Sequence, residues 1–292
     1  RVPAHGDPRD PSPVVARASS IPSTMLVALL ASGACAPLGP SGETNPPHDQ
    51  RPHADIVWPA PPERAKIAYV AAIAGTRDLN PVHSLLRRLG EFVIGTSDDW
   101  LVRPAGVAVD ADLIVVADPG SPALFVFDRA AGRVRKVTDA DGEPLVSPVG
   151  VAIGGERIYL SDSYLRRILV YDRAGKLVSA WGAADLTRPV ALAFDASRRR
   201  VYVSDAAAHR VRVFDAGGAP LFSFGGRGTA AGEFNWPGAL CVDGEGLVYV
   251  VDTLNFRVQI FDGEGAFRSQ FGRQGDGSGD FARPKGIAVD SA

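Results

Sequence analysis

The feature that most constrains this 292-residue chain is an internal repeat. A proline followed by a short apolar run occurs five times: Arg103-Pro-Ala-Gly-Val-Ala-Val-Asp110, Ser147-Pro-Val-Gly-Val-Ala-Ile-Gly154, Arg188-Pro-Val-Ala-Leu-Ala-Phe-Asp195, Trp236-Pro-Gly-Ala-Leu-Cys-Val-Asp243 and Arg283-Pro-Lys-Gly-Ile-Ala-Val-Asp290. The prolines fall at 104, 148, 189, 237 and 284, spaced 44, 41, 48 and 47. An apolar run closing on Asp118, Asp162, Asp205 and Asp252 follows each of the first four. A third landmark is Phe127-Asp128, Tyr171-Asp172, Phe214-Asp215 and Phe261-Asp262. Three landmarks in one order at one period mark a repeat architecture, and that decides the fold before any single element does.

Each unit contains four apolar runs separated by Gly, Asp, Pro and Ala turns. In the fourth they are Ala239–Val242, Leu247–Val251, Val258–Phe261 and Phe267–Phe271. Short runs rich in Val, Ile, Tyr and Phe read as strands. Asp243-Gly-Glu-Gly246 and Asp262-Gly-Glu-Gly265 supply hairpin turns, since Gly accepts the positive φ these require. A four-stranded antiparallel unit recurring every ~45 residues is a propeller blade. The predicted fold class is therefore all-β, a β-propeller of four-stranded antiparallel blades.

Asp252-Thr-Leu-Asn-Phe-Arg257-Val-Gln-Ile-Phe-Asp262 closely resembles the NHL repeat: Asp closing the second strand, Asn255 three later, Arg257 five later, then an apolar run into Phe-Asp. Asp162 with Arg167 and Asp205 with Arg210 keep the five-residue offset, with Leu165 and Ala208 in place of the Asn. After Asp118 the Arg position holds Ala123. The resemblance covers residues 100–292 and implies a propeller commonly of six blades. Six blades need about one and a half more units than the chain holds. The expectation is thus an NHL-type domain over 66–292, with about four and a half blades, incomplete at its C-terminus. The offset predicts that Asp and Arg pair across the turn between second and third strands, and that Asp also satisfies turn N–H groups. Upstream, Lys66–Ala74 reads as a lone strand suited to closing the ring. Asn80–Val93 reads as a short amphipathic helix.

The N-terminal fifth is a different kind of chain. Thirteen of the 23 prolines lie in residues 1–62. Met25–Ala34 is an apolar run too short to span a bilayer but suited to a signal-peptide core. Cys35 follows it directly. This resembles a bacterial lipoprotein signal, although Ser32 stands where Leu is usual. The resemblance implies lipidation of Cys35, an extracytoplasmic location (periplasm or cell surface) and a membrane anchor. Residues 1–35 are then leader, and the proline-rich 36–65 an extended linker.

Catalytic and ligand chemistry is sparse. A propeller may carry an enzyme or a binding module, so fold alone does not decide. The alternative function, a metal-dependent propeller hydrolase or lyase (peptidyl-hydroxyglycine lyase-like) with its site on the channel axis, needs several histidines converging there. Of His5, His48, His53, His83 and His209, only His209 lies in a repeat, where it reads as a solvated turn residue. Asp276-Gly-Ser-Gly-Asp280 alternates oxygen ligands but has Ile287 where a calcium loop carries its distal acid. No phosphate loop or nucleophile elbow is present. Residues 100–292 carry 22 Lys/Arg against 23 Asp/Glu, which argues against nucleic acid, and Arg198-Arg-Arg200 reads as a solvated turn tip. Cys241 occupies the column of Ala108, Ala152, Ala193 and Ala288 and reads as a small buried side chain.

The remaining candidate site is a face. In an antiparallel blade the turns between strands two and three emerge on the same side as the blade-to-blade linkers. That side carries Tyr164, Leu165, His209, Trp236, Leu254 and Phe256. Apolar and aromatic loop residues are expected at binding surfaces. The reading is a non-catalytic, monomeric propeller scaffold that binds an unidentified protein or extracellular ligand through this face, without a cofactor.

Overall fold

The computed structural model describes residues 57–58, 67–68 and 101–289. They fall in two units, residues 57–58 and 67–68 in one and residues 101–289 in the other. In the first, β1 (Val57–Trp58) pairs antiparallel with β2 (Ile67–Ala68). The described part of the predicted Lys66–Ala74 strand is therefore not alone. Its partner is an apolar, β-prone pair within the proline-rich segment, which supplies the backbone groups any strand needs. Cys35, the apolar run before it and the predicted Asn80–Val93 helix lie outside the described residues.

Among its described residues the second unit shows four antiparallel four-stranded sheets, each in sequence order. Blade 1 comprises β3 (Gly106–Val109), β4 (Leu113–Asp118), β5 (Ala123–Asp128) and β6 (Arg133–Val137). A small hairpin follows, β7 (Asp139–Ala140) with β8 (Glu143–Pro144). Blade 2 is β9 (Pro148–Gly154), β10 (Arg157–Asp162), β11 (Arg167–Asp172) and β12 (Leu177–Trp181). Blade 3 is β13 (Pro189–Asp195), β14 (Arg200–Asp205), β15 (Arg210–Asp215) and β16 (Pro220–Gly225). Blade 4 is β17 (Pro237–Val242), β18 (Val248–Asp252), β19 (Arg257–Phe261) and β20 (Phe267–Phe271). A single 3-10 turn, Thr253–Asn255, joins β18 to β19. Residues 284–289, the start of the fifth landmark, form no strand.

Alternation along the strands gives each blade two apolar faces. Leu113, Val115, Leu124 and Val126 of blade 1 pack with Ile158, Leu160, Leu169 and Tyr171 of blade 2. Tyr159, Ile168 and Val170 pack with Val201, Val203 and Phe214 of blade 3. Tyr202, Val211 and Val213 pack with Val248, Val250 and Phe261 of blade 4. First strands adjoin first strands, β3 to β9 to β13 to β17. Sheets stacked face to face with their first strands innermost make a β-propeller of four-stranded blades.

The crowding falls on the second residue after each landmark proline. A Cβ on Gly150 would stand 2.8 Å from both the Ala191 Cα and the Val190 carbonyl oxygen of the next first strand. Gly106 meets the Val149 carbonyl in the same way. The corresponding residues of blades 3 and 4 are Ala191 and Ala239, so this column is restricted to small side chains.

Candidate functional site

The predicted binding face is built by the landmark aspartates. Pro148, Pro189 and Pro237 each stand in register opposite Asp162, Asp205 and Asp252. A proline has no N–H to donate, so it fits the first position of a strand. The carboxylate across from it takes the N–H groups of the two residues before the proline. Asp162 accepts from Val146 (2.9 Å) and Ser147 (3.0 Å), and through its other oxygen from Tyr164 and Leu165 (both 3.0 Å). Asp118 does the same for Val102 and Arg103, and for Gly120 and Ser121. Asp205 holds Thr187 and Arg188 (both 2.8 Å) and, at 3.4 Å, Ala208. All four aspartates are fully buried. Each ties the incoming linker to its own blade's second-to-third turn, so both loop sets emerge at one end. The signal was in the sequence: the landmark proline precedes the aspartate by 14 to 16 residues in every unit.

The expected Asp–Arg pairing forms in blade 4, where Arg257 Nε donates to Asp252 at 2.8 Å. Arg257 also reaches Gln270 and the carbonyls of Ala230 and Glu233, while Asn255 and Gln259 complete the Asp252 carboxylate. In blades 2 and 3 the residues stand opposite in register, but their side chains part. Arg167 lies 3.6 Å from Glu143, and Arg210 Nε points at the Ala208 carbonyl (3.4 Å). The reason is saturation. Backbone N–H groups already occupy both oxygens of Asp162 and Asp205, whereas Asp252 takes only that of Asn235 from its linker (2.7 Å).

The N–H of Trp236 goes instead to His209 Nδ1 at 3.2 Å, which places the neutral imidazole's proton on Nε2. His209 thus lies in the turn where its position predicts it, half-buried, and also clamps the linker. Its ring meets Trp236 edge-on at 6.2 Å, and the Arg188 guanidinium lies over the indole at 5.6 Å.

Of the other predicted face residues, Tyr164 is 72% exposed, Leu254 44% and Trp236 38%. Leu165 and Phe256 are half-buried. Sequence reading missed two linker residues at the same end, Val102 (66% exposed) and Val146 (40%). Bulky residues also take left-handed backbone there: Arg166, His209 and Phe256, each closing a second-to-third turn, and Trp236 in the linker, with φ of 54° to 60°. That conformation disfavours a Cβ and costs about 1 kcal/mol per residue.

The other singled-out groups are accounted for locally. Cys241 is a half-buried free thiol, and burial pushes its pKa up to about 12. Asp280 takes Arg273 at 2.8 Å and the Gly277 N–H at 3.2 Å. Among the described residues, no three His, Cys, Asp or Glu side chains gather as a metal-binding group.

Comparisons with known proteins agree on the fold. The model of family DUF5128, a 6-bladed beta-propeller, matches residues 237–292. No curated protein sequence matches significantly. A structural genomics protein of unknown function from Bacteroides thetaiotaomicron superimposes with TM-score 0.50 at 17% identity, covering 66% of this chain and 56% of that one. A catalytically inactive virginiamycin B lyase from Staphylococcus aureus with quinupristin gives TM-score 0.50 at 13% identity, covering 63% and 59%. The chain therefore spans under two thirds of either structure's length. Residues 101–289 are propeller blades, similar in fold to these proteins.

Proposed function

We propose that this chain is an NHL-type propeller of bacterial lipoprotein character. It acts as a non-catalytic extracytoplasmic module that binds a protein or other ligand through the end carrying its linkers and second-to-third turns. The observation that carries this reading is that Val102, Val146, Tyr164, Trp236 and Leu254, all large, apolar and exposed, lie on linkers and turns of that end. Single exposed apolar residues are ordinary, but a group at one end of a rigid scaffold suits partner recognition. Tyr164, and Trp236 with Arg188 over its ring, are of the residue types that dominate interface energetics. The buried aspartates hold these loops in one geometry before any partner arrives, which lowers the ordering cost of binding.

The anchoring part of the reading rests on Met25–Ala34 followed by Cys35. Expression with radiolabelled palmitate should label the protein and leave the Cys35→Ser variant unlabelled; equal labelling of both would remove the anchor. For the face, Tyr164→Ser combined with Leu254→Ser should abolish partner recovery in a pull-down from envelope extract while leaving the melting temperature unchanged. Undiminished recovery would remove the binding face.

A further inference from the structure

At the opposite end, the seam between blades 2 and 3 opens into a cleft of about 740 Å³, within the size range of small-molecule sites. Half-buried Phe194, stacked on the buried Tyr159 (5.6 Å between centroids, 14° between planes), forms one wall, and exposed Val178 contributes apolar surface. Arg157 and Arg199 line it as cations, with Glu156 also in the lining. We propose that this seam is a binding site for a small organic anion, a carboxylate or phosphate carried on a planar apolar body.

The argument comes from the neighbouring seams, which the repeat makes directly comparable. Between blades 3 and 4, Arg200 occupies the place of Arg157. It donates to Glu264 (2.7 Å) and the Gly263 carbonyl (3.0 Å), and lies 5.4 Å over the Phe222 ring. Between blades 1 and 2, Arg173 pairs with Asp110 at 2.7 Å and Asp112 at 3.5 Å. Both seams are closed by a cross-blade ion pair. Between blades 2 and 3 the position of Glu264 is Gly217 and that of Phe222 is Ser179. The acid and the ring that fill the next seam are both missing, and neither Arg157 nor Arg199 has an ion-pair partner among the described residues.

The arginine triplet is divided in the same sense. Arg198 pairs with Asp195 (2.9 Å) and Arg200 with Glu264, while Arg199, held at φ 53° on the turn tip, faces the cleft. The Tyr159 hydroxyl donates to the Ala216 carbonyl at 3.1 Å, as Tyr202 does to Gly263 at 2.8 Å one seam on. Burial raises the Tyr159 pKa, the charges of Arg157 and Arg199 lower it, and that of Asp215 raises it. A ligand anion would stand where Glu264 stands in the next seam, with its planar body against Phe194 and Val178. Paired guanidinium donors favour such oxyanions.

Isothermal titration of the full chain with phenyl phosphate and with benzoate, at low ionic strength, tests this. The wild type should bind at least one of the two anions saturably, and benzyl alcohol about tenfold more weakly or not at all. Gly217→Glu, which supplies the acid native to the next seam, should lower anion affinity about tenfold or more. Arg199→Asn, on an exposed tip and tolerant of the left-handed backbone, should do likewise with an unchanged melting curve. Absence of saturable binding to both anions, equal binding of benzyl alcohol, or undiminished binding by both folded variants would overturn the proposal. The binding face at the other end would be untouched by that failure.

Discussion

The fully buried Asp162 accepts four backbone N–H groups in partly buried hydrogen bonds. Its removal leaves four donors without that partner, and unsatisfied buried groups are expensive. Asp162→Ala should therefore lower unfolding free energy by about 3 kcal/mol or more, read from the denaturant midpoint at constant slope. Arg167→Ala should cost less than about 1 kcal/mol, because its contact with Glu143 is loose and open to solvent. An equal loss in the two variants would mean that the Asp–Arg pair, rather than the linker clamp, holds the turn. This distinction explains what was legible at the scale of residues. The five-residue offset is visible in the sequence, but which partner an aspartate takes depends on how many N–H groups reach it first. His209 shows the same limit: its neighbour in space, Trp236, is 27 residues away and approaches only once the blades are stacked. Tyrosines 159, 171 and 202 donate to a turn or hairpin carbonyl beyond their own blade: Ala216, Asp139 and Gly263. Burial raises the pKa of all three. The stability they contribute is whole below the unfolded value of about 10 and is lost as pH rises above it toward the higher folded values. The melting temperature should thus fall above about pH 10, and fall less steeply in Tyr202→Phe, whose lost hydrogen bond costs about 1 kcal/mol at neutral pH.

Blades were the most legible elements. The four runs read in the fourth unit, Ala239–Val242, Leu247–Val251, Val258–Phe261 and Phe267–Phe271, correspond to β17–β20 within two residues at any end. The alternation of apolar side chains and the Gly turns specify them locally. The fifth landmark fails as a strand because a strand exists only through its partner, and no second strand of that unit lies beside residues 284–289 among the described residues. Seams between blades are less legible, since their ion pairs join residues some 63 positions apart, as Arg173 does with Asp110. Two predictions belong to this scale. Gly150→Val should destabilise by about 3 kcal/mol or prevent folding, because its side chain would enter the backbone of the next first strand. Acidification should loosen the carboxylates at the first-to-second turns. Burial raises the pKa of Asp110, but hydrogen bonds from Arg173, Leu113 and Asp112 outweigh it and leave the net value lowered. Asp195 is lowered likewise against its burial, through Ser197 and Arg198. Their contribution is present above the unfolded value of about 3.9 and is lost as pH falls through the lower folded values. Melting temperatures should therefore drop below about pH 4, less so for Asp110→Asn; an identical drop in that variant would separate Asp110 from acid stability.

At the scale of the molecule, the propeller was legible from periodicity, and the two ends of the blades from strand order alone. Strand direction fixes which turns share an end, so the sequence alone assigns Tyr164, Trp236 and Leu254 to one end. Exposure was not legible to the same degree: Leu165 and Phe256 carry the same apolar character but are half-buried, while Val102 and Val146 are open. The division of labour we propose is recognition at the linker end and, at the other, small-anion binding in the open seam. The most direct measurement of the recognition claim is site-specific photo-crosslinking in intact cells, with a benzophenone amino acid in place of Tyr164, Leu254 or Glu245. Glu245 is exposed in a first-to-second turn at the opposite end. The account predicts a discrete adduct of one mass from Tyr164 and Leu254 and none from Glu245. An adduct from Glu245 alone, or none from any of the three, would contradict it.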